Sequence, residues 1–202
     1  MRKRTNFSWL CPFVLLLSAV GLCSCATSPE GCVISGRVKT GGYEGKMLYL
    51  CNPYTLAAVD SVRIRNGKFS IQRKDSIEEV LQLRLKASDD DLYPITLPVV
   101  TEKGMVKTVL GELVLTSGTP LNDKLQDFLL AVDCFSDEMV RSDRKTEEVR
   151  KEFAHLLETS ILQNKNNSVG IYIFRIYSSR LTSENRATIL KKAGEEFRKK
   201  IE

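Results

Sequence analysis

The 202-residue chain holds one histidine, His155, and its aromatic residues make up only 7% of the total. His155 falls among Glu148, Lys151 and Thr159 on the polar side of an expected helix, where it is a solvated residue rather than a ligand. No apolar run reaches the roughly 20 residues needed to cross a bilayer. No basic stripe interleaved with aromatic residues is present, so the chain lacks the electrostatic footprint of a nucleic-acid partner. Gly118, Thr119 and Pro120 lack the glycines and lysine that cradle phosphate. Asp89, Asp90 and Asp91 lack the glycine-punctuated loop and bidentate acid of a calcium site. There is no internal repeat and no low-complexity stretch. No catalytic constellation survives, and the expectation is a protein without catalytic residues, metal or cofactor.

What is present begins at the N-terminus. Arg2, Lys3 and Arg4 precede a short apolar run over 9–20, which ends in Leu22, Cys23, Ser24 and Cys25. That order of basic, apolar and small residues reads as a bacterial lipoprotein signal, with cleavage after Ser24 and lipidation of Cys25. Cys25 is preferred to Cys23 because bulky Leu22 would otherwise occupy the cleavage position. A diacylglycerol plus an N-acyl chain, at about 0.8 kcal/mol per buried methylene, would hold the mature chain at a membrane without a spanning helix. The expected organisation is a signal peptide over 1–24, a tether over 25–31, a β-rich domain over 32–117 and a helical region over 118–202.

Removal of residues 1–24 takes three basic residues and no acid, so 30 Lys plus Arg against 25 Asp plus Glu becomes 27 against 25. The remaining chain is nearly neutral and can bury roughly 70% of its unfolded surface, enough for one domain or two layers sharing a core.

Along that chain the periodicity changes once, near Gly118. Before it, runs at 33–38, 47–51, 59–64, 69–72, 81–86 and 105–110 are β-branched or alternate apolar with polar residues, and turn chemistry separates them. Asn66 and Gly67 are the strongest hairpin signal, since a two-residue type I′ turn needs positive φ at both positions. Pro94 and Pro98 consign the segment around Ile95 and Leu97 to a sheet edge or to irregular structure. After Gly118 the period is helical. Thr119 is expected as an N-cap with Pro120 at the first helical position. Leu121, Leu125, Phe128, Leu129, Val132 and Phe135 share one face, and Val149, Phe153, Leu156, Leu157 and Ile161 repeat the pattern. A third helix over 169–177 is apolar almost all round. A last one, capped by Thr182 or Ser183, carries Ile189, Leu190, Ala193, Phe197 and Ile201. The expected fold is α+β: an N-terminal antiparallel β-sandwich or open barrel followed by about four helices.

Beyond the signal region the thiols are Cys32, Cys51 and Cys134, an odd number in a compartment that permits disulfides. Cys32 and Cys51 could face each other if the first two strands pair around Gly41 to Gly45, although a one-residue slip would separate them. Otherwise all three are small, partly buried apolar residues.

The order and spacing of several residues carry a resemblance. They are Ile34 and Gly36; Tyr49 and Leu50; Asp60, Ser61 and Val62; Asn66, Gly67, Lys68 and Phe69; Glu102, Lys103 and Gly104; Ser117, Gly118, Thr119, Pro120, Leu121 and Asn122; and later Asn167, Val169, Gly170 and Tyr172. In these the chain resembles the domain of unknown function that precedes the thioredoxin domain in many envelope lipoproteins of the Bacteroidota. That resemblance implies a β-rich module followed by helices. In the fused relatives a thioredoxin domain with a Cys-x-x-Cys motif comes next, whereas this sequence stops at Glu202, so their thiol exchange is not carried over to it.

Similarity to envelope proteins of that phylum also implies O-glycosylation at Ser61 and Ser76, each between an aspartate and an aliphatic residue. The segment after Cys25 lacks the acidic pair of surface-export signals, which implies the periplasmic face of the outer membrane. The function expected is a non-catalytic, lipid-anchored binding or scaffolding module, whose partner could be a separate thioredoxin-fold protein. The alternatives are a thiol-active envelope protein using Cys32 and Cys51, and a module that binds glycan or peptide.

Overall fold

A computed structural model describes residues 30–75, 77–88, 90–141 and 143–201. Eight strands come first: β1 (Cys32–Val38), β2 (Met47–Cys51), β3 (Ala58–Arg63), β4 (Lys68–Arg73), β5 (Val80–Leu85), β6 (Ile95–Val100), β7 (Gly104–Leu110) and β8 (Leu115–Ser117). They form two open four-stranded sheets, ordered β4-β1-β7-β8 and β3-β2-β5-β6. The helices follow: α1 (Pro120–Val140), α2 (Thr146–Gln163), α3 (Ser168–Tyr177), a 3-10 turn (Ser178–Arg180), α4 (Ser183–Ala193) and α5 (Glu195–Ile201). The architecture is α+β, a sandwich with a helical layer after it.

Alternation in the strands sends one side chain in two to the space between the sheets. Ile34, Leu48, Leu50, Leu83, Leu97, Val106 and Leu110 meet there fully buried, each worth about 1.5–3 kcal/mol of transfer free energy. Gly36 sits where β1 is flanked by β4 and β7, opposite Phe69 and Thr108. A Cβ there would lie 2.1 Å from Thr108 Oγ1 and 2.6 Å from Phe69 Cζ, so only glycine lets these side chains close over the strand. A second core forms where Val80 and Val100 meet Leu125, Phe128, Leu157, Ile161, Val169, Ile173 and Phe197 of the helices.

Three features depart from the reading of local pattern. The pairing of β1 with β7 is parallel, from Cys32 opposite Gly104 to Val38 opposite Leu110, while every other pairing within the two sheets is antiparallel. Asn66 and Gly67 do form the tight turn, with φ of 52° and 65° and mutual Arg65–Lys68 backbone bonds of 3.0 Å. Yet β3 and β4 then diverge into different sheets, so the turn is a corner of the sandwich. The last helix is two, because Gly194 at φ 92° ends α4 and α5 starts anew. Proline governs β6 as expected: it is an edge strand, bonded to β5 alone.

The junction between strands and helices centres on Asn122, which is fully buried. Its Oδ1 accepts from Val100 N (2.9 Å) and Thr116 Oγ1 (2.8 Å). Its Nδ2 donates to Val100 O (2.8 Å) and Thr119 Oγ1 (2.8 Å). The amide thus pairs with the edge of β6 as another strand would, and ties β6, β8 and α1 together. Thr119 holds the N-cap position with Pro120 inside the helix, but its own side chain makes no cap bond. Glu102 supplies the cap instead, its Oε1 accepting from Leu121 N (2.7 Å) and Asn122 N (3.1 Å). A carboxylate at a helix N-terminus satisfies orphan donors and complements the dipole.

Candidate functional site

The helical layer contains a cleft of about 770 Å³ between the C-terminal half of α1, the start of α2, the end of α3 and the cap of α4. Several local devices place its walls. Asn167 caps α3 by accepting from Val169 N at 3.0 Å, and Glu78, from the β4–β5 loop, accepts from Ser168 N at 2.7 Å. Arg144, in the loop after α1, bonds Glu138 of α1 and Glu152 of α2. Thr182 caps α4 by accepting from Asn185 N at 3.1 Å, and Arg186 Nη2 donates to Ser178 O at 2.9 Å, which fixes the 3-10 turn against α4.

Part of the cleft lining is an aromatic cluster. Phe135 of α1 lies 5.1 Å from Phe153 of α2, and Phe153 meets Tyr177 of α3 edge-on at 6.1 Å. Tyr177 in turn meets Phe128 edge-on at 5.4 Å, linking the cluster to the helical core. Such pairs add about 0.5–1.5 kcal/mol beyond their burial. Burial, assisted by the Asp133 carboxylate, raises the Tyr177 hydroxyl above its ordinary range and keeps it a neutral donor. Arg150, Lys151, Arg180 and Glu147 stand among the polar lining residues. More than half of the lining residues are polar or charged, so the recess offers aromatic and polar contacts side by side.

The residues singled out by sequence do not converge on this cleft. Cys25 and Ser76 lie outside the described residues. Ser61 is exposed on β3, an edge strand of the second sheet. Cys32 and Cys51 are free and buried, and the condition for their pairing is not met: β1 and β2 belong to different sheets and do not pair with each other. Burial raises both thiols above their ordinary range, the opposite of what a thiolate nucleophile requires. Cys134 is free and exposed.

His155 is exposed on α2. Asp91 braces its own loop, accepting from Ala87 N (2.8 Å) and Tyr93 N (2.9 Å), and those bonds hold its carboxyl below the usual carboxylate range. Among the described residues no group of three or more His, Cys, Asp or Glu could hold a metal ion. The Gly118–Pro120 turn is the junction described above, its helix N-terminus already filled by Glu102.

Phe135 and Phe153 were legible only as members of two separate helix faces. Arg150 and Arg180 carried no motif at all, and the signal that could have found the cleft was aromatic residues recurring towards one end of three successive helices.

Residues 32–125 match the family described as Domain of unknown function (DUF4369). The matched span takes in the sandwich, the junction and the first turns of α1. Asn167, Val169, Gly170 and Tyr172, which contributed to the resemblance, lie beyond it. No curated protein and no solved structure matches the chain.

Proposed function

We propose, proceeding from the match over residues 32–125, that the chain is a non-catalytic, lipid-anchored envelope protein that acts by binding, with the helical layer as its binding surface. The observation that carries this reading is the aromatic-lined cleft, a preformed recess in the part of the chain that the family match leaves out. The residues that carry the resemblance are spent on folding: Ile34 and Leu50 fill the sandwich core, Gly36 admits Phe69, Asn66 and Gly67 turn the corner, and Glu102 and Asn122 build the junction. That division suits a rigid frame presenting a separate binding element. Raised thiols at Cys32 and Cys51 argue against thiol exchange.

Anchoring would run through lipidated Cys25, at the periplasmic face of the outer membrane. The resemblance to modules fused to thioredoxin domains makes a separately encoded thioredoxin-fold protein the first partner to seek. The test places a photo-cross-linking residue at exposed Ser179, on the cleft wall, in the full chain in its native envelope, with mass spectrometry of the N-terminal peptide. A lipidated Cys25 and an adduct to a thioredoxin-fold protein are expected. An unlipidated Cys25 overturns the anchoring, and a chain that yields no adduct at all overturns a protein partner at the helical layer.

A further inference from the structure

The cleft is not electrically neutral. Its lining includes three cations, Arg150, Lys151 and Arg180, against one acid, Glu147. Among the described residues none of those three cationic side chains has an ion-pair or hydrogen-bond partner. Among the other arginines, Arg73 pairs with Asp75, Arg144 with Glu138, Arg175 with Lys200 O, Arg186 with Ser178 O and Arg198 with Leu190 O, while Arg84 Nε is buried without a partner. Arg150 and Arg180 line the cleft from different elements, α2 and the 3-10 turn, together with Phe135, Phe153 and Tyr177. Aromatic rings and unengaged guanidinium groups lining one recess match a ligand with a hydrocarbon body and one anionic end. A planar carboxylate is the group that a guanidinium fork recognises in two-point fashion.

We propose that the cleft binds a fatty carboxylate, with its hydrocarbon chain along Phe135, Phe153 and Tyr177 and its carboxylate between Arg150 and Arg180. The proposal rests on the reading of the helical layer as a binding surface and assigns the cleft a small-molecule ligand distinct from the protein partner sought through Ser179. Glu147 sits on the same wall and opposes an anion, so the two arginines must outweigh it. The volume accommodates a medium or long chain.

The test is calorimetric titration of the full chain with laurate, dodecanol and dodecyltrimethylammonium below their aggregation thresholds. Three proteins are compared: wild type, the double variant Arg150→Gln with Arg180→Gln, and Ser136→Trp, which places an indole in the cleft from an exposed position on α1. Thermal unfolding of each confirms that it is folded. Saturable one-to-one binding of laurate is expected, weakened about tenfold in the double variant, where a charge-assisted contact is lost while dodecanol binding is unchanged. Ser136→Trp is expected to weaken both ligands by more than about tenfold.

Equal affinity of wild type for laurate and dodecyltrimethylammonium overturns the carboxylate assignment, as does a double variant that binds laurate normally. Unchanged binding in Ser136→Trp, or no saturable binding of laurate, overturns the cleft as the site. A Ser179 adduct that persists in the face of those results leaves the binding-surface reading standing and removes only the ligand class.

Discussion

A single buried amide decides how the two layers of this protein meet. Asn122 uses both its carbonyl and its NH₂ group, and truncation would strand Val100 N, Val100 O and the Thr116 hydroxyl in a dry junction. Asn122→Ala is expected to lower unfolding free energy by about 3 kcal/mol, read from the urea midpoint. Asn122→Asp is expected to be at least as damaging, because it keeps the acceptor but loses the donor to Val100 O and buries a charge.

Glu44 offers a milder test. Its two carboxylate oxygens accept from Asn66 N (2.9 Å) and Gly67 N (3.0 Å), and those bonds hold its carboxyl below the usual carboxylate range. A depressed folded-state value means that the support is present above the unfolded carboxylate range and is lost as pH falls through the folded value. The Asn66 and Gly67 amide resonances are therefore expected to titrate together on acidification below that range, and Glu44→Gln to abolish the titration.

The thiols give a third expectation: iodoacetamide should label exposed Cys134 readily, and buried Cys32 and Cys51 at least about a hundredfold more slowly until the chain is unfolded. At this scale Asn122 and Glu102 stood out only as residues that carry the resemblance. The sequence could not show why, since their partners are up to 22 residues away.

Elements were legible where local pattern dominates. The alternation at 33–38, 47–51 and 81–86 and the 3.6-residue period after Gly118 each identify a segment that must bury one face, and all of these formed. Leu115–Ser117 was missed because three residues are too few to display a period, and β6 was blurred by Pro98, which removes a ladder donor without forbidding an edge strand. The switch from strand to helix depends on Gly118, at φ 97°, where a Cβ would approach Met105 O to 2.7 Å. Gly118→Ala combines left-handed strain with that backbone clash and is expected to destabilise by about 2–3 kcal/mol in urea unfolding. Gly194→Ala, at φ 92° and ψ −179° with no atom within 4 Å of the new Cβ, should lose the conformational part alone, at least about 1 kcal/mol. The difference between the two separates strain from collision.

For the whole molecule, two apolar clusters raise the question of whether sandwich and helices unfold separately. Leu129 packs against both clusters, and Val80 and Val100 of the second sheet belong to the helical one. Glu78 holds the start of α3, and Arg175 of α3 lies over the ring of Tyr54 in the β2–β3 loop at 5.3 Å from its centroid. These ties predict one cooperative transition, with far-ultraviolet circular dichroism of the helices and near-ultraviolet signals of Tyr54 and Phe69 sharing one midpoint. Separate midpoints would show the layers to be independent. The relation between layers was the least legible part of the sequence, because neither the orientation of helices nor the convergence of Phe135, Phe153 and Tyr177 leaves a mark on any one segment.

The parallel pairing of β1 with β7 has a kinetic meaning. The first strand of the chain is central in its sheet, and its neighbours arrive only with Lys68–Arg73 and Gly104–Leu110. Until the second of these has been synthesised, β1 has an unsatisfied side, and closing a loop of that length is among the slow events in folding. The second sheet and the β1–β4 pairing can form earlier, so a nascent chain halted before Gly104 would carry most of the sandwich with one side of β1 still unpaired.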